Sequence, residues 1–309
     1  MGHSLAYVAL ATRDVAAASL FFDRYLGVAR THCRAPGGRE VPVFALGSSA
    51  LALFDPGDPF LGSNERTGVH HIAIGAADPD AAARDHGLPA SPGKASAGLN
   101  DTKQVVIDPA ATGGVRTRFC EPLNLAKSEG HWIERIDHIG VASADNQSMI
   151  DVFSGRLGCQ VESRQTDMEV RIVIESFTSD KYGVVYHSRP PVPVGGLRVA
   201  FVSVGDCELE FLQSFDPGHP HERGRTGQAG NTKGDQGAIA RYIEKRGPGL
   251  HHIALKTRDI DAMLARLDAA GCQLIDRVGR PGSRRALIGF VHPAALGGVL
   301  LHFVQREDL

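Results

Sequence analysis

Gly68-Val-His-His-Ile-Ala-Ile74 recurs 181 residues later as Gly249-Leu-His-His-Ile-Ala-Leu255. Downstream of each copy a second block repeats: Pro109-Ala-Ala-Thr-Gly-Gly-Val115, then Pro293-Ala-Ala-Leu-Gly-Gly-Val299, followed by Phe119 and Phe303. A third, weaker pair stands upstream. Tyr7-Val-Ala-Leu-Ala11 with Asp14 and Leu26-Gly27 parallels His138-Ile-Gly-Val-Ala142 with Asp145 and Leu157-Gly158. Internal self-similarity on this scale reads as a chain assembled from repeated structural units. The spacing locates an insertion. Tyr7 and His138 are 131 positions apart, whereas His71 and His252 are 181 apart. The second half therefore holds extra residues, many of them in the Gly-, Pro- and charge-rich segment from Ser214 to Ala238, which reads as a loop or lid.

Each half is itself double. Alternating apolar stretches (Leu5 to Ala11, Ile136 to Ala142) lead into helical stretches that end at Leu-Gly, and strands follow at 41–46, 50–54, 197–204 and 207–212. The order restarts at His70 and at His251. After His252, Ile260, Met263, Leu264 and Leu267 fall at helical spacing, with Asp259 as a cap and Gly271 as a stop. The expectation is an α+β fold of four βαβββ modules paired into two domains. The first spans 1–125, a linker 126–135, and the second 136–309, with the lid insertion near 214–247. Trp132, the single tryptophan, is expected to pack between the halves.

Composition narrows the function classes. The 309 residues carry 33 Lys and Arg against 35 Asp and Glu, a net charge of −2. A dedicated nucleic-acid binder normally shows a basic excess. No apolar run approaches the ~18 residues of a membrane span. The N-terminal stretch lacks a basic leader and reads as a first strand rather than a signal peptide. Cys33, Cys120, Cys159, Cys207 and Cys272 are odd in number and never in a C-x-x-C pair, which argues against a disulfide framework or zinc knuckle and for a cytoplasmic setting.

The blocks Asp-His-Ile-Gly-Val, Gly-Leu-His-His-Ile-Ala-Leu and His-Pro-x-x-x-Gly-Gly-Val-Leu resemble those of the vicinal oxygen chelate superfamily, which includes glyoxalase I, methylmalonyl-CoA epimerase, extradiol dioxygenases, 4-hydroxyphenylpyruvate dioxygenase and bleomycin-resistance proteins. The match is strongest over Ile136 to Gln305, where the blocks are most similar to the epimerases. The four-module layout is similar to the dioxygenases. The resemblance implies paired glyoxalase-like modules that form a cup holding one divalent metal, iron, zinc, cobalt or nickel. Open positions on the ion would let two neighbouring substrate oxygens chelate.

Carried over residue by residue, the resemblance places the metal ligands at His138, Glu210, His252 and His302, with Glu210 and His302 the catalytic candidates. Two departures stand out. The family usually has Glu where His302 stands, and Val199 occupies the place of a second acidic base found in some epimerases. The same carry-over in the first half lands on Tyr7, Ala52, His71 and Arg118, which implies a degenerate domain without a metal site. Arg284 and Arg285, with Arg280 nearby, and Tyr186 are candidates for contacting an anionic substrate. So are the insert cations His219, His221, Arg223, Arg225 and Lys233.

Three functions follow as expectations. The first is an isomerase, epimerase or lyase acting next to a carbonyl through a metal-stabilised enolate. The second is a non-haem Fe(II) dioxygenase of the extradiol or 4-hydroxyphenylpyruvate type. The third is a binder that sequesters a small molecule. The partner expected in each case is a small molecule with adjacent oxygens or an acyl or carboxylate group. Homo-oligomerisation is plausible on the exposed sheet edges that paired modules leave.

Overall fold

A computed structural model of the chain describes residues 3–62, 66–93, 96–126, 132–215 and 232–307. The first half contains β1 (Leu5–Ala11), α1 (Val15–Leu20, prolonged by a π-helical turn at Phe21–Tyr25), β2 (Arg30–Arg34), β3 (Glu40–Leu46) and β4 (Ser49–Phe54). It restarts with β5 (Gly68–Gly75), α2 (Pro79–Asp85), β6 (Gln104–Val106) and β7 (Thr117–Cys120). The second half opens with β8 (Ile133–Ala142), α3 (Asn146–Ile150), β9 (Val161–Arg171), β10 (Ile174–Ser179), β11 (Gly183–Ser188), β12 (Val192–Val204) and β13 (Cys207–Phe215). After α4 (Thr232–Arg246) it closes with β14 (Gly249–Thr257), α5 (Ile260–Ala269), β15 (Arg280–Pro281), β16 (Leu287–Val291) and β17 (Leu301–Gln305).

Each half forms one large mixed sheet, and β10 and β11 of the second half pair in a separate two-stranded sheet. The strand orders are β2-β3-β4-β1-β5-β7-β6 and β15-β16-β17-β14-β8-β13-β12-β9. Within a module the first and last strands pair in parallel, as β8 does with β13 and β14 with β17. Two modules join through their first strands, antiparallel, as β8 does with β14. Four neighbouring central strands, β17-β14-β8-β13, thus bring together residues far apart in sequence. The short helices begin at Asp14, Asp78, Asp145 and Asp259, each of whose carboxylates accepts from backbone N–H groups of the first turn. Such caps contribute about 1 kcal/mol each.

The outer faces of the two sheets share one apolar core, in which Leu5, Val8 and Leu10 meet Ile139, Val141, Phe153, Leu301 and Phe303. The repeated Gly-Gly pair explains itself at this seam. Gly113 and Gly297 end short 3-10 turns in the left-handed region. A Cβ on Gly114 would lie 2.3 Å from the Pro248 carbonyl oxygen, and one on Gly298 would lie 2.2 Å from Thr67 Oγ1. Each half therefore uses the second glycine to let the other half close in. Trp132 packs at the same seam, near Gly27 and beneath the Arg266 guanidinium.

Three features differ from the expectation. The segment read as a loop or lid over 214–247 ends in a helix, α4, whose Ile239, Tyr242 and Ile243 pack on Leu197, Val199, Phe201 and Leu212. The apolar residues sit at helical spacing, but the surrounding charge and glycine conceal them. His219, His221, Arg223, Arg225 and the side chain of Lys233 lie outside the described residues. The other part of the extra length is the β10–β11 hairpin, which prolongs the β9–β12 ribbon. β8 also begins at Ile133, inside the stretch expected to be linker.

Candidate metal centre

His138, Glu210, His252 and His302 come from β8, β13, β14 and β17 and meet on the concave face. Register makes this possible. Gly140 is paired on one side with Glu210 and on the other with His252, while Ala254 lies between His138 and His302. A regular strand would send adjacent side chains to opposite faces. Here two β-bulges intervene. The β8–β14 pairing skips Asp137 and skips His251, so Asp137 with His138, and His251 with His252, line one cavity together. Bulges re-aim side chains in this way beside functional sites.

All four side chains are buried. Ligand atoms of the three imidazoles lie within 4.8 Å of one another. Glu210 Oε2 is 3.3 Å from His138 Nε2 and 3.4 Å from His252 Nε2. The Nδ1 atoms are occupied elsewhere. His138 Nδ1 is 2.8 Å from Asp137 Oδ1, and His252 Nδ1 is 2.9 Å from His251 Nδ1. Both Nε2 atoms are thereby turned toward a common centre, the way oriented metal-ligating histidines are held. Asp137 is fixed in turn by Arg306 at 3.1 Å.

The electrostatics fit a cation. Burial by itself would depress the His138 imidazole, but the Glu210 charge and hydrogen bonds to Asp137 and Glu210 raise it to about 9. Burial opposes ionisation of Glu210, yet the His138 charge and hydrogen bonds from His138 and His252 hold it well below the usual carboxylate range. Burial, and then the neighbouring imidazoles, push His302 well below its ordinary value, so it stays neutral. Among the described residues neither ring nitrogen of His302 has a hydrogen-bond partner. A buried polar atom without a partner is costly. Three imidazoles and a carboxylate are a donor set for zinc, iron, cobalt or nickel, and the residues present fit such an ion.

Comparison with known proteins places the chain's fold and family. Residues 137–290 match the family model described as Glyoxalase/Bleomycin resistance protein/Dioxygenase superfamily. The chain belongs to that superfamily. Over 175 residues it is 26% identical to the uncharacterised protein YqjC of Bacillus subtilis (strain 168), covering 57% of this chain and 94% of that one. It is 22% identical over 175 residues to the mitochondrial methylmalonyl-CoA epimerase of Dictyostelium discoideum, covering 56% and 80%. Its fold follows that of a 4-hydroxymandelate synthase variant from Streptomyces coelicolor over 99% of this chain and 93% of the other, with a TM-score of 0.62 at 15% identity.

The cup of this glyoxalase-superfamily chain has a volume of about 400 Å³, within the usual range for small-molecule sites. Phe290, Ile288, Leu197 and Ile239 supply apolar walls, and α4 contributes Ala238 as well. Arg284 lines the cavity, but its terminal nitrogens are held by Glu208 at 2.9 and 2.7 Å and by Glu162 at 2.9 Å. Its guanidinium stacks 3.5 Å above the Phe201 ring. It therefore braces the wall, and through Glu208 and Arg306 it is linked to Asp137. Two expected substrate contacts are corrected. Arg285 is exposed and lies outside the cavity lining. Tyr186 sits on the projecting β11, 72% exposed, and does not reach the cup. Insertion of the β10–β11 hairpin carries it away.

Sequence reasoning missed Asp167 and Gln165. Both line the cavity from β9, where Gln165 pairs with Val199 and Asp167 with Leu197. Gln165 Nε2 donates to both Asp167 carboxylate oxygens at 3.1 Å and lies 3.2 Å from Ser283 Oγ. An acidic group thus faces the cup one strand away from the position where Val199 lacks one. Its alternation with Gln165 on β9 was the only sequence signal.

The equivalent positions of the first half fall in the same register but differ chemically. Tyr7 Oη is 3.1 Å from His71 Nε2, and Ala52 takes the place of Glu210. Arg118 stands opposite Ala73 as His302 stands opposite Ala254. Its guanidinium donates to Gln104 Oε1 and to the Phe60 carbonyl and lies over the Phe60 ring. Leu61, Leu99 and Phe54 fill the concave side. A fixed buried cation and an apolar plug occupy the positions equivalent to His302 and to the cavity of the second half.

Proposed function

We propose that the second half is a metal-dependent isomerase, epimerase or lyase that moves a proton on a carbon next to a carbonyl. The carrying observation is the convergence of His138, Glu210, His252 and His302 at the base of a cavity that also presents the Asp167 carboxylate. A divalent ion held by those four residues would supply Lewis-acid polarisation of two neighbouring substrate oxygens. Asp167 receives the proton from carbon and returns it, on either face of the planar carbon or to an adjacent atom. Gln165 fixes the carboxylate's direction. Asp137 and His251 hold the His138 and His252 rings in place. The apolar walls exclude water from the reacting carbon.

Relatives named methylmalonyl-CoA epimerase support an acyl thioester with a second carbonyl or carboxylate as the substrate class. His302, in the place of that branch's usual carboxylate, leaves proton transfer to Asp167. The alternative, a non-haem Fe(II) dioxygenase, rests on the imidazole-rich donor set.

The test is solvent exchange. Zinc- or cobalt-loaded protein is incubated in D₂O with malonyl-type acyl thioesters and 2-keto acids, and deuterium at the carbon next to the carbonyl is followed by mass spectrometry. Exchange is expected with the loaded protein, falling at least ~100-fold on chelation and returning on reloading. Absence of exchange with every metal and substrate, together with oxygen uptake by the Fe(II) form, would replace this reading with the dioxygenase.

A further inference from the structure

A second, smaller pocket lies at the seam between the halves, away from the metal cup. It has a volume of about 80 Å³, several times what one buried water needs. Three arginines line it: Arg66 and Arg116 from the first half, and Arg246 from the end of α4 in the second. Among the described residues no carboxylate lines it. Among the described residues none of the three guanidiniums is ion-paired. Arg246 Nη1 donates to the Thr67 carbonyl at 3.2 Å, and its guanidinium lies 5.5 Å from the centre of the Tyr242 ring. That holds it in the pocket across the seam.

His70 adds a further polar group. It is 5% exposed and lines the same pocket. Its Nδ1 meets His71 Nδ1 at 2.8 Å, while its Nε2 makes no hydrogen bond among the described residues. Burial, with the Arg66 and Arg118 charges behind it, pulls the Arg116 guanidinium below its ordinary value. Arg116 is half-buried, whereas Arg66 and Arg246 are exposed at the pocket's mouth; like charges gathered in one pocket repel one another. What relieves the repulsion is an anion with several acceptor oxygens, which planar guanidiniums bind by paired N–H donors.

We infer that the Arg66–Arg116–Arg246 pocket is a binding site for a phosphate-type oxyanion that bridges the two halves. The phosphate is either free or the phosphate end of a larger molecule. This does not depend on the reaction assigned to the metal cup. The helix α4 lines both cavities, the cup with Ala238 and Ile239 and this pocket with Tyr242 and Arg246. The Tyr242 ring packs edge-on against His251 at 4.8 Å, so an occupant lies one residue layer from the metal ligand His252.

The test uses the metal-loaded full chain and titration calorimetry at constant ionic strength, with inorganic phosphate and coenzyme A as probes. Phosphate is expected to bind with a Kd below about 1 mM. Arg116→Gln and Arg246→Gln are each expected to weaken it at least tenfold with metal content unchanged. Arg246 is exposed, so its variant is expected to fold even if Arg116→Gln does not. Phosphate should raise the Tm of the parent protein and not of the variants. Coenzyme A binding more than tenfold tighter than phosphate, and lost in the same variants, identifies a carried phosphate; equal or weaker binding identifies the free ion. Binding of neither probe, or binding that both variants leave intact, would overturn the site.

Discussion

A single methyl group at position 140 is expected to empty the proposed metal centre. Gly140 lies in β8 between the partners Glu210 and His252, and the His252 imidazole rests directly on it. An ideal Cβ there would be 2.0 Å from His252 Cε1 and 2.3 Å from Nδ1. Gly140 is not among the residues with positive φ, so alanine would fit the backbone and the whole misfit falls on the ring. His252 has little room to move, with His302 at 4.8 Å between ring centres and Phe290 at 6.1 Å. Turning the ring off its rotamer costs roughly 1 kcal/mol and removes one of four donors. Even supporting residues of metal sites are worth 10- to 100-fold in affinity. Gly140→Ala should therefore lower affinity at least ~100-fold, read by competition with a chromogenic chelator. Overpacking should lower stability by about 1–3 kcal/mol. Parent-like affinity would show that the ring is not confined as described.

Asp167→Asn is expected to separate chemistry from metal binding. The substitution keeps size and the hydrogen bond from Gln165 but removes the ability to take up a proton. General acid–base groups contribute about 10²- to 10⁴-fold, and a loss of that order in solvent exchange is expected with metal content unchanged. The separation matters because Asp167 is not one of the four proposed metal ligands. Exchange within threefold of the parent would place the proton on another group. His251 would then be the next candidate, a cavity-lining imidazole that burial and the His252 charge lower to about 3.

Much of the fold was legible because the repeated blocks are strand anchors. Gly-x-His-His-Ile-Ala and Pro-Ala-Ala-x-Gly-Gly-Val occupy β5, β14 and the seam turns, where backbone demands are strict. The positions of His138, Glu210, His252 and His302 followed from motif alignment, and the structure brings the four together. Asp137 and His251 were not legible as cup residues. A period of two assumes regular pairing, and only the paired register reveals the bulges. Asp167 was hidden because β9 is partnered by a strand some 30 residues away in the chain, across a hairpin that composition did not announce. The helix α4 was hidden for a different reason. Its buried residues are few, and its stabilisation comes from packing on β12 and β13 rather than from helix propensity. Arg284 and Arg285 show the limit of reading charge alone. One is locked into Glu208 and the other faces solvent, a difference set by one residue of chain.

The most direct test of the central claim is metal content, measured by elemental mass spectrometry on protein purified anaerobically without a polyhistidine tag. About one divalent ion per chain is expected, falling to background in His302→Ala while the fold is retained. Failure to hold any of zinc, iron, cobalt or nickel after reloading would contradict the metal centre. So would a His302→Ala variant that retains the ion as well as the parent does.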